Sequence, residues 1–148
     1  MRCVVQRVAW AEVRVDDEVV GRIERGLLAF VGVGPDDDEA VADALAAKLA
    51  ALRVFPDERG RMQYAVGAIG GGVLVVSQFT LFGDLSRGNR PGFSAAAAPE
   101  QAAPLVTRVA SSLRERHALV VAEGRFGASM AVLSHNDGPV TLQLELGR

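Results

Sequence analysis

The chain predicts an α+β fold in a single domain, with largely antiparallel sheets and two main helices. Three observations carry that expectation. Strand-like segments, rich in β-branched residues with polar alternation, outnumber helical ones. The two stretches with helical spacing interrupt the strands without a regular strand–helix alternation. The 148 residues, 49% of them hydrophobic, suit one core rather than several domains or a disordered tail.

The elements follow in order. Residues 2–9, 11–15 and 18–24 read as strands, and the Asp-Asp-Glu between the last two reads as a hairpin turn. "GLLAFVGV" is a continuous apolar run bounded by glycines, the pattern of a central strand. Asp36 and Glu39 have capping-box spacing for a first helix, along which Val41, Ala44, Leu45, Lys48, Leu49 and Leu52 recur at helical intervals. "PDERGR" turns the chain, and the glycines of "VGAIGGG" precede "VLVVSQFTLF", which reads as a strand throughout. Strand alternation there places Ser77 and Phe79 on one face, Gln78 and Thr80 on the other. Residues 83–98 form a loop. A second helix follows in "PEQAAPLVTRVASSLRERH", with Pro99 suited to its first position and Pro104 expected to kink the helix or delay its start. Residues 118–123 and 127–135 are two further strands, and "NDGPVTLQLEL" supplies the last, introduced by Gly138 and Pro139.

Several function classes recede on composition. A net charge of −2 provides no broad basic field for coating DNA or RNA, although it leaves room for a pocket that grips one nucleotide end with local arginines such as Arg87 and Arg90. No apolar run approaches membrane-spanning length and the start alternates, so a cytoplasmic protein is expected. The single cysteine, Cys3, lies in an apolar strand segment and reads as a buried, inert thiol. His117 ends a helix beside Arg114 and Arg116 as a solvated histidine would, and His135 sits at a strand end. With Cys3 they have no ligand-like spacing, so no metal site and no cofactor are expected. Ser77, Gln78 and Thr80 are polar residues in an apolar run, which either tie down neighbouring backbone or line a cleft. As a nucleophile, Ser77 or Thr80 would need a base within reach, and no hydrolase elbow surrounds either hydroxyl.

"SQFTL" at 77–81 together with "NDGPVT" at 136–141 resembles the paired signatures of the D-aminoacyl-tRNA deacylase family, the chiral proofreading enzymes of translation. "MRCVVQRV" at the start, "KLAALRVF" at 48–55, "RGNRPGFSAAAAPE" at 87–100 and "GRFGASMAV" at 124–132 are similar to that family in the same order, so the resemblance covers essentially the whole chain. "MQYAV" at 62–66 and Gly92 after Pro91 depart from it. The resemblance implies a barrel-like core and a homodimer. It also implies a cis bond between Gly138 and Pro139, projected into the partner's cleft, where it would collide with an L-amino acid and admit a D-amino acid or glycine. The implied substrate is the aminoacyl-tRNA 3′ acceptor end, with no DNA or membrane partner. Arg7 is implied to orient the Gly-Pro loop, and Phe126 and Met130 to wall the pocket. Backbone N–H groups around Phe79 and Thr80 are expected to hold the oxyanion, while Ser77 and Gln78 seat the terminal adenosine and Arg87 and Arg90 contact phosphate. The terminal 2′-hydroxyl is implied to assist, with Thr80 as a covalent nucleophile the competing possibility. A non-catalytic module for tRNA 3′ ends and a hydrolase of free esters are the other classes that fit.

Overall fold

In the computed structural model, which describes residues 1–147, the sheet is organised around one long strand, β1 (Arg2–Val15). The first two strands of the sequence reading are thus one element. A tight turn leads to β2 (Glu18–Ile23), with Asp16 at φ 50° and Asp17 at φ 65°. Two consecutive left-handed residues match the twist of an antiparallel hairpin. β3 (Gly26–Gly32) pairs antiparallel with the first half of β1, and β8 (Ala131–Glu145) lies antiparallel along the other edge of β1.

The rest of the sheet is parallel. β6 (Gly72–Ser77) pairs with β3, and β7 (Val120–Glu123) pairs with β6, giving the order β2-β1-β3-β6-β7. Parallel neighbours need crossovers, and α1 (Glu39–Ala51) and α2 (Pro99–His117) lie in those connections. A small hairpin of β4 (Phe55–Pro56) and β5 (Met62–Tyr64) flanks the "PDERGR" turn. The sheet curls until β2 meets β7, where a Cβ on Gly21 would fall 2.3 Å from the Glu123 carbonyl oxygen. Only glycine permits that approach, which leaves the barrel nearly closed.

Both faces of the central strands are apolar, as strands covered on two sides must be. Leu27, Ala29, Val31, Val73 and Val75 pack beneath Leu45, Leu49, Val109 and Leu113 of the helices. Leu28, Leu74 and Val76 point the other way, into the curled sheet with Val8, Ala11, Val13 and Ile23. Cys3 is 1% exposed, and burial pushes its thiol up to about 12, so it is the inert thiol the sequence suggested.

Five expectations need correction. The cap of α1 is Asp38, whose carboxylate accepts from the Val41 N–H at 3.0 Å, rather than Asp36. The stripe that α1 buries is Ala42, Leu45, Ala46 and Leu49, with Ala44 and Lys48 exposed. α2 starts at Pro99 without delay and carries Pro104 within it, on its exposed side. The strands drawn at 127–135 and in the closing stretch are one element, β8, and "VLVVSQFTLF" is a strand only to Ser77. The last residue of the predicted domain, 148, lies outside the described residues. No helix among them is long and apolar enough to cross a membrane.

Candidate active site

At the end of β6 the backbone of Gln78 (φ −147°, ψ 77°) leaves the extended path, and residues Phe79–Phe82 form a single 3₁₀ turn. The strand alternation expected for Phe79 and Thr80 therefore does not apply. Gln78 still donates its N–H to Val31 of β3 at 2.8 Å, and the turn closes through Leu81 N–H to Gln78 O at 3.3 Å and Gly83 N–H to Thr80 O at 2.9 Å. The first N–H groups of a helical turn have no acceptor within it. Among the described residues, the amides of Phe79 and Thr80 find none elsewhere. The Gln78 side-chain amide donates to the Thr80 hydroxyl.

Beside this turn lies a cavity of about 450 Å³, bounded by Ser77, Gln78 and Phe79 on one side and by Ala97, Pro99, Ala102 and Val106 at the start of α2 on the other. Val31, Val33, Phe93, Phe126 and Gly127 complete its walls. Phe79 and Phe93 meet edge to face, centroids 5.0 Å apart at 73°. Phe79 is 55% exposed and Phe126 41%, large aromatic surface left open at the mouth of an apolar hollow. Such a mouth offers stacking faces to a nucleobase. Neither histidine lines the cavity, and among the described residues no three His, Cys, Asp or Glu side chains converge as metal ligands would.

The cavity brings Ser77, Gln78, Phe79 and Phe126 together but leaves out other site candidates. Met130 packs into the interior of the curled sheet, its sulfur 2.8 Å from where a Cβ on Gly124 would stand. Arg87 and Arg90 occupy a fully exposed loop. Its neck is closed by reciprocal hydrogen bonds between Asp84 and Gly92 at 2.8 and 2.9 Å. The Ser86 backbone N–H, assisted by its hydroxyl, holds the Asp84 carboxyl below its usual range. The sequence reading missed Phe93; a lone aromatic following a Pro-Gly loop carries no signal of the wall it joins.

The Gly-Pro segment is not the mouth of a strand but a protrusion within one. β8 pairs with β1 at Asn136↔Val8 and again at Thr141↔Gln6, so Asp137–Val140 bulge out opposite Arg7. The Gly138–Pro139 peptide is cis, and Gly138 has φ +145°, where a Cβ would sit 2.7 Å from Val140 Cγ2. Asn136 clips the protrusion at its base: its side chain accepts from Val140 N–H at 2.8 Å and donates to the Thr141 hydroxyl at 2.9 Å. Arg7, with 12% of its side chain exposed, donates from Nε to the Asp137 carbonyl at 2.9 Å and from Nη1 to the Val54 carbonyl at 2.7 Å. Asn136, which the sequence reading did not select, has a side-chain amide that fits this clip.

One chain does not bring the protrusion and the turn together. Arg7 pairs with Leu27 of β3, whereas Gln78 is bonded to Val31. At the rise of a strand these anchor points stand about 13 Å apart, at opposite ends of β3.

Comparison with known proteins gives the chain its family. A family model described as D-Tyr-tRNA(Tyr) deacylase matches residues 4–145. The D-aminoacyl-tRNA deacylase of Sorangium cellulosum (strain So ce56) is 54% identical over 149 residues, covering 100% of this chain and 99% of that protein. That of Roseiflexus sp. (strain RS-1) is 57% identical over 145 residues, covering 98% and 93%. Among solved structures, the c-Myc DNA Unwinding Element Binding Protein superposes with a TM-score of 0.92 at 38% identity, covering 100% of both chains. A probable eukaryotic D-amino acid tRNA deacylase superposes at 0.86 with 17% identity over 98% of each chain, a likeness of fold alone. On the span of the family match and the near-complete coverage of its relatives, the chain belongs to the D-Tyr-tRNA(Tyr) deacylase family.

Proposed function

We propose that this protein hydrolyses the ester between a D-amino acid and the terminal ribose of tRNA, spares the L-ester, and accepts glycine to some degree. The observation that carries the reading is the 3₁₀ turn, which presents two amides without acceptors among the described residues, beside an apolar cavity with aromatic faces. The terminal adenosine enters that cavity, seated by Ser77 and Gln78 with Phe79 and Phe126 along its base. Water attacks the carbonyl carbon, and the Phe79 and Thr80 amides take the developing oxyanion. The bond to the 3′-oxygen breaks, and the neighbouring 2′-hydroxyl assists as that oxygen regains a proton. An aminoacyl ester is already activated, so orientation matters more than a strong nucleophile, consistent with the Thr80 hydroxyl being held by Gln78 and with no histidine at the cavity.

Stereochemistry comes from the Gly138–Pro139 protrusion acting across a homodimer. Its place at the far end of β3 suits insertion into a partner's cavity rather than its own. Backbone carbonyls there collide with an L side chain and accept from the ammonium of a D-amino acid, without reading side-chain identity. Arg7 aims the protrusion. Met130 acts from behind, bracing Gly124 two residues from Phe126, and Arg87 and Arg90 contact acceptor-stem phosphates. The reaction uses no metal or cofactor and runs in the cytoplasm, where tRNA is charged.

The test is deacylation at low enzyme concentration of tRNA charged with D-tyrosine or L-tyrosine, and of glycyl-tRNA. Rapid loss of the D-ester with the L-ester spared is the expected result. Equal loss of both esters refutes the stereochemical filter, and binding without turnover refutes catalysis.

A further inference from the structure

Arg2 is none of the residues given a role above. Its Cα pairs with Gly32 of β3 on one side and with Glu145 of β8 on the other. Side chains directly opposite on antiparallel strands share a face, so an ordinary residue at 32 would stand between Arg2 and whatever lies beyond β3. A Cβ on Gly32 would be 2.9 Å from the Gln78 carbonyl oxygen and 3.2 Å from both Leu81 Cβ and Phe82 Cδ2. On Gly34 it would be 3.2 Å from two atoms of the Phe82 ring. The 3₁₀ turn therefore rests directly on the backbone of β3 and its extension, and Arg2 reaches across the gap that Gly32 leaves.

Arg2 then closes over the turn. Its Nη1 donates to the Leu81 carbonyl at 3.0 Å, and its guanidinium carbon lies 4.5 Å from the centroid of the Phe82 ring. Phe82 thus has bare glycine backbone on one side and a cation against its ring. Glu145 Oε1 stands 3.7 Å from the Arg2 Nε, steadying the guanidinium from β8. The two residues Arg2 holds directly follow Thr80.

We infer that Arg2 is a positioning residue: it pins the second half of the turn so that the Phe79 and Thr80 amides keep a fixed direction into the cavity. The inference rests on reading those amides as the oxyanion donors. Arginine suits the task because its planar head stacks and donates at once, which a lysine ammonium does not do. A half-exposed hydrogen bond and cation–π contact add little to global stability, so their loss shows in the turn rather than in unfolding.

The experiment compares Arg2→Ala and Arg2→Lys with the unaltered protein by amide NMR, thermal unfolding and D-tyrosyl-tRNA kinetics. In Arg2→Ala the Phe79–Phe82 amide resonances shift or broaden, and kcat falls about 10- to 100-fold while KM and the unfolding midpoint hold, as expected when reacting groups lose orientation. Arg2→Lys recovers only part of kcat. Unmoved resonances overturn the inference, as does an unchanged kcat or a loss of activity matched by global unfolding. The oxyanion reading is judged separately by a backbone ester in place of the Thr80 amide, which removes the N–H without touching Arg2. Full activity there refutes that reading whatever the Arg2 variants do.

Discussion

The two ends of β3 are finished in opposite ways. At the Val31 end, β6 gives way to a turn with two amides left without acceptors among the described residues and aromatic rings left half-exposed. At the Leu27 end, the Gly-Pro protrusion is tied down by Arg7 and Asn136, with Asp137 O, Val54 O, Val140 N–H and the Thr141 hydroxyl all engaged. Phe79 and Thr80 are exposed, so their free amides are open to water or to a ligand rather than closed off by the fold. The first end is built to receive, and the second is built to hold its shape. The chiral selection proposed above needs both, because a rigid obstacle discriminates only if the reacting carbonyl is held in a fixed place relative to it.

The largest effect that tests this contrast is expected from Gly138→Ala. A methyl there meets Val140 Cγ2 at 2.7 Å and Arg7 Nη2 at 3.3 Å on a backbone with φ +145°, so the protrusion must move. Deacylation of the D-ester should fall by about 100-fold with the rest of the fold intact, in line with the effect of ångström-scale misplacement. Wild-type rates in this variant would show that the shape of the protrusion is irrelevant.

A smaller effect separates both ends from the acid response of the fold. The Arg108 guanidinium hydrogen-bonded to Asp43 holds that carboxyl below its usual range, assisted by the charge of Arg116. The hydrogen bond from Arg14 does the same for Glu12, assisted by Arg22. Carboxyls lowered in the folded state contribute stability that is complete above their unfolded values and is lost as pH falls through the folded ones. The midpoint of thermal unfolding should therefore hold from pH 7 to about 5 and drop below about 4. Asp43→Asn should flatten part of that drop, and an unchanged slope would remove this pair from the account.

The smallest effect is expected from Thr80→Ala, because the proposed mechanism uses the backbone of this residue rather than its hydroxyl. D-tyrosyl-tRNA deacylation should stay within about threefold of wild type, the loss of one exposed hydrogen bond to Gln78. Collapse of activity in a folded variant would restore the nucleophile.

How much of this was legible in the sequence depends on whether the signal was local. The β1–β2 hairpin, the β3 core strand and α2 were plain, since periodicity, turn residues and a leading proline all act over a few positions. The break at Gln78 was not: Phe79, Leu81 and Phe82 are apolar enough for a strand, and the room for their turn comes from Gly32 of β3 and Gly34 just beyond it, more than 40 residues earlier. In "PDDDE", spacing favoured Asp36, whereas Asp38 caps the helix and Asp37 takes the buried Met1 ammonium at 2.7 Å and the Gly34 N–H at 2.7 Å. The protrusion was read as a strand's beginning because Gly-Pro interrupts the local pattern; that both its flanks pair with the same partner is visible only once β1 is known to run unbroken. Arg7 and Phe126 entered through family resemblance alone, and Arg2 and Asn136 were passed over because their partners are set by register and local geometry rather than motif.

Register has a last consequence. Arg2 and Arg7 hang from one strand about 17 Å apart, each serving a different end of the sheet. β1 is in effect a graduated rule on which both fittings are mounted. Substitutions between the two marks act where they fall, whereas inserting or deleting one residue there turns every later side chain to the opposite face. The segment from 2 to 7 should thus accept exchanges at its half-exposed positions and apolar ones at the buried Cys3 and Val5, but only one length.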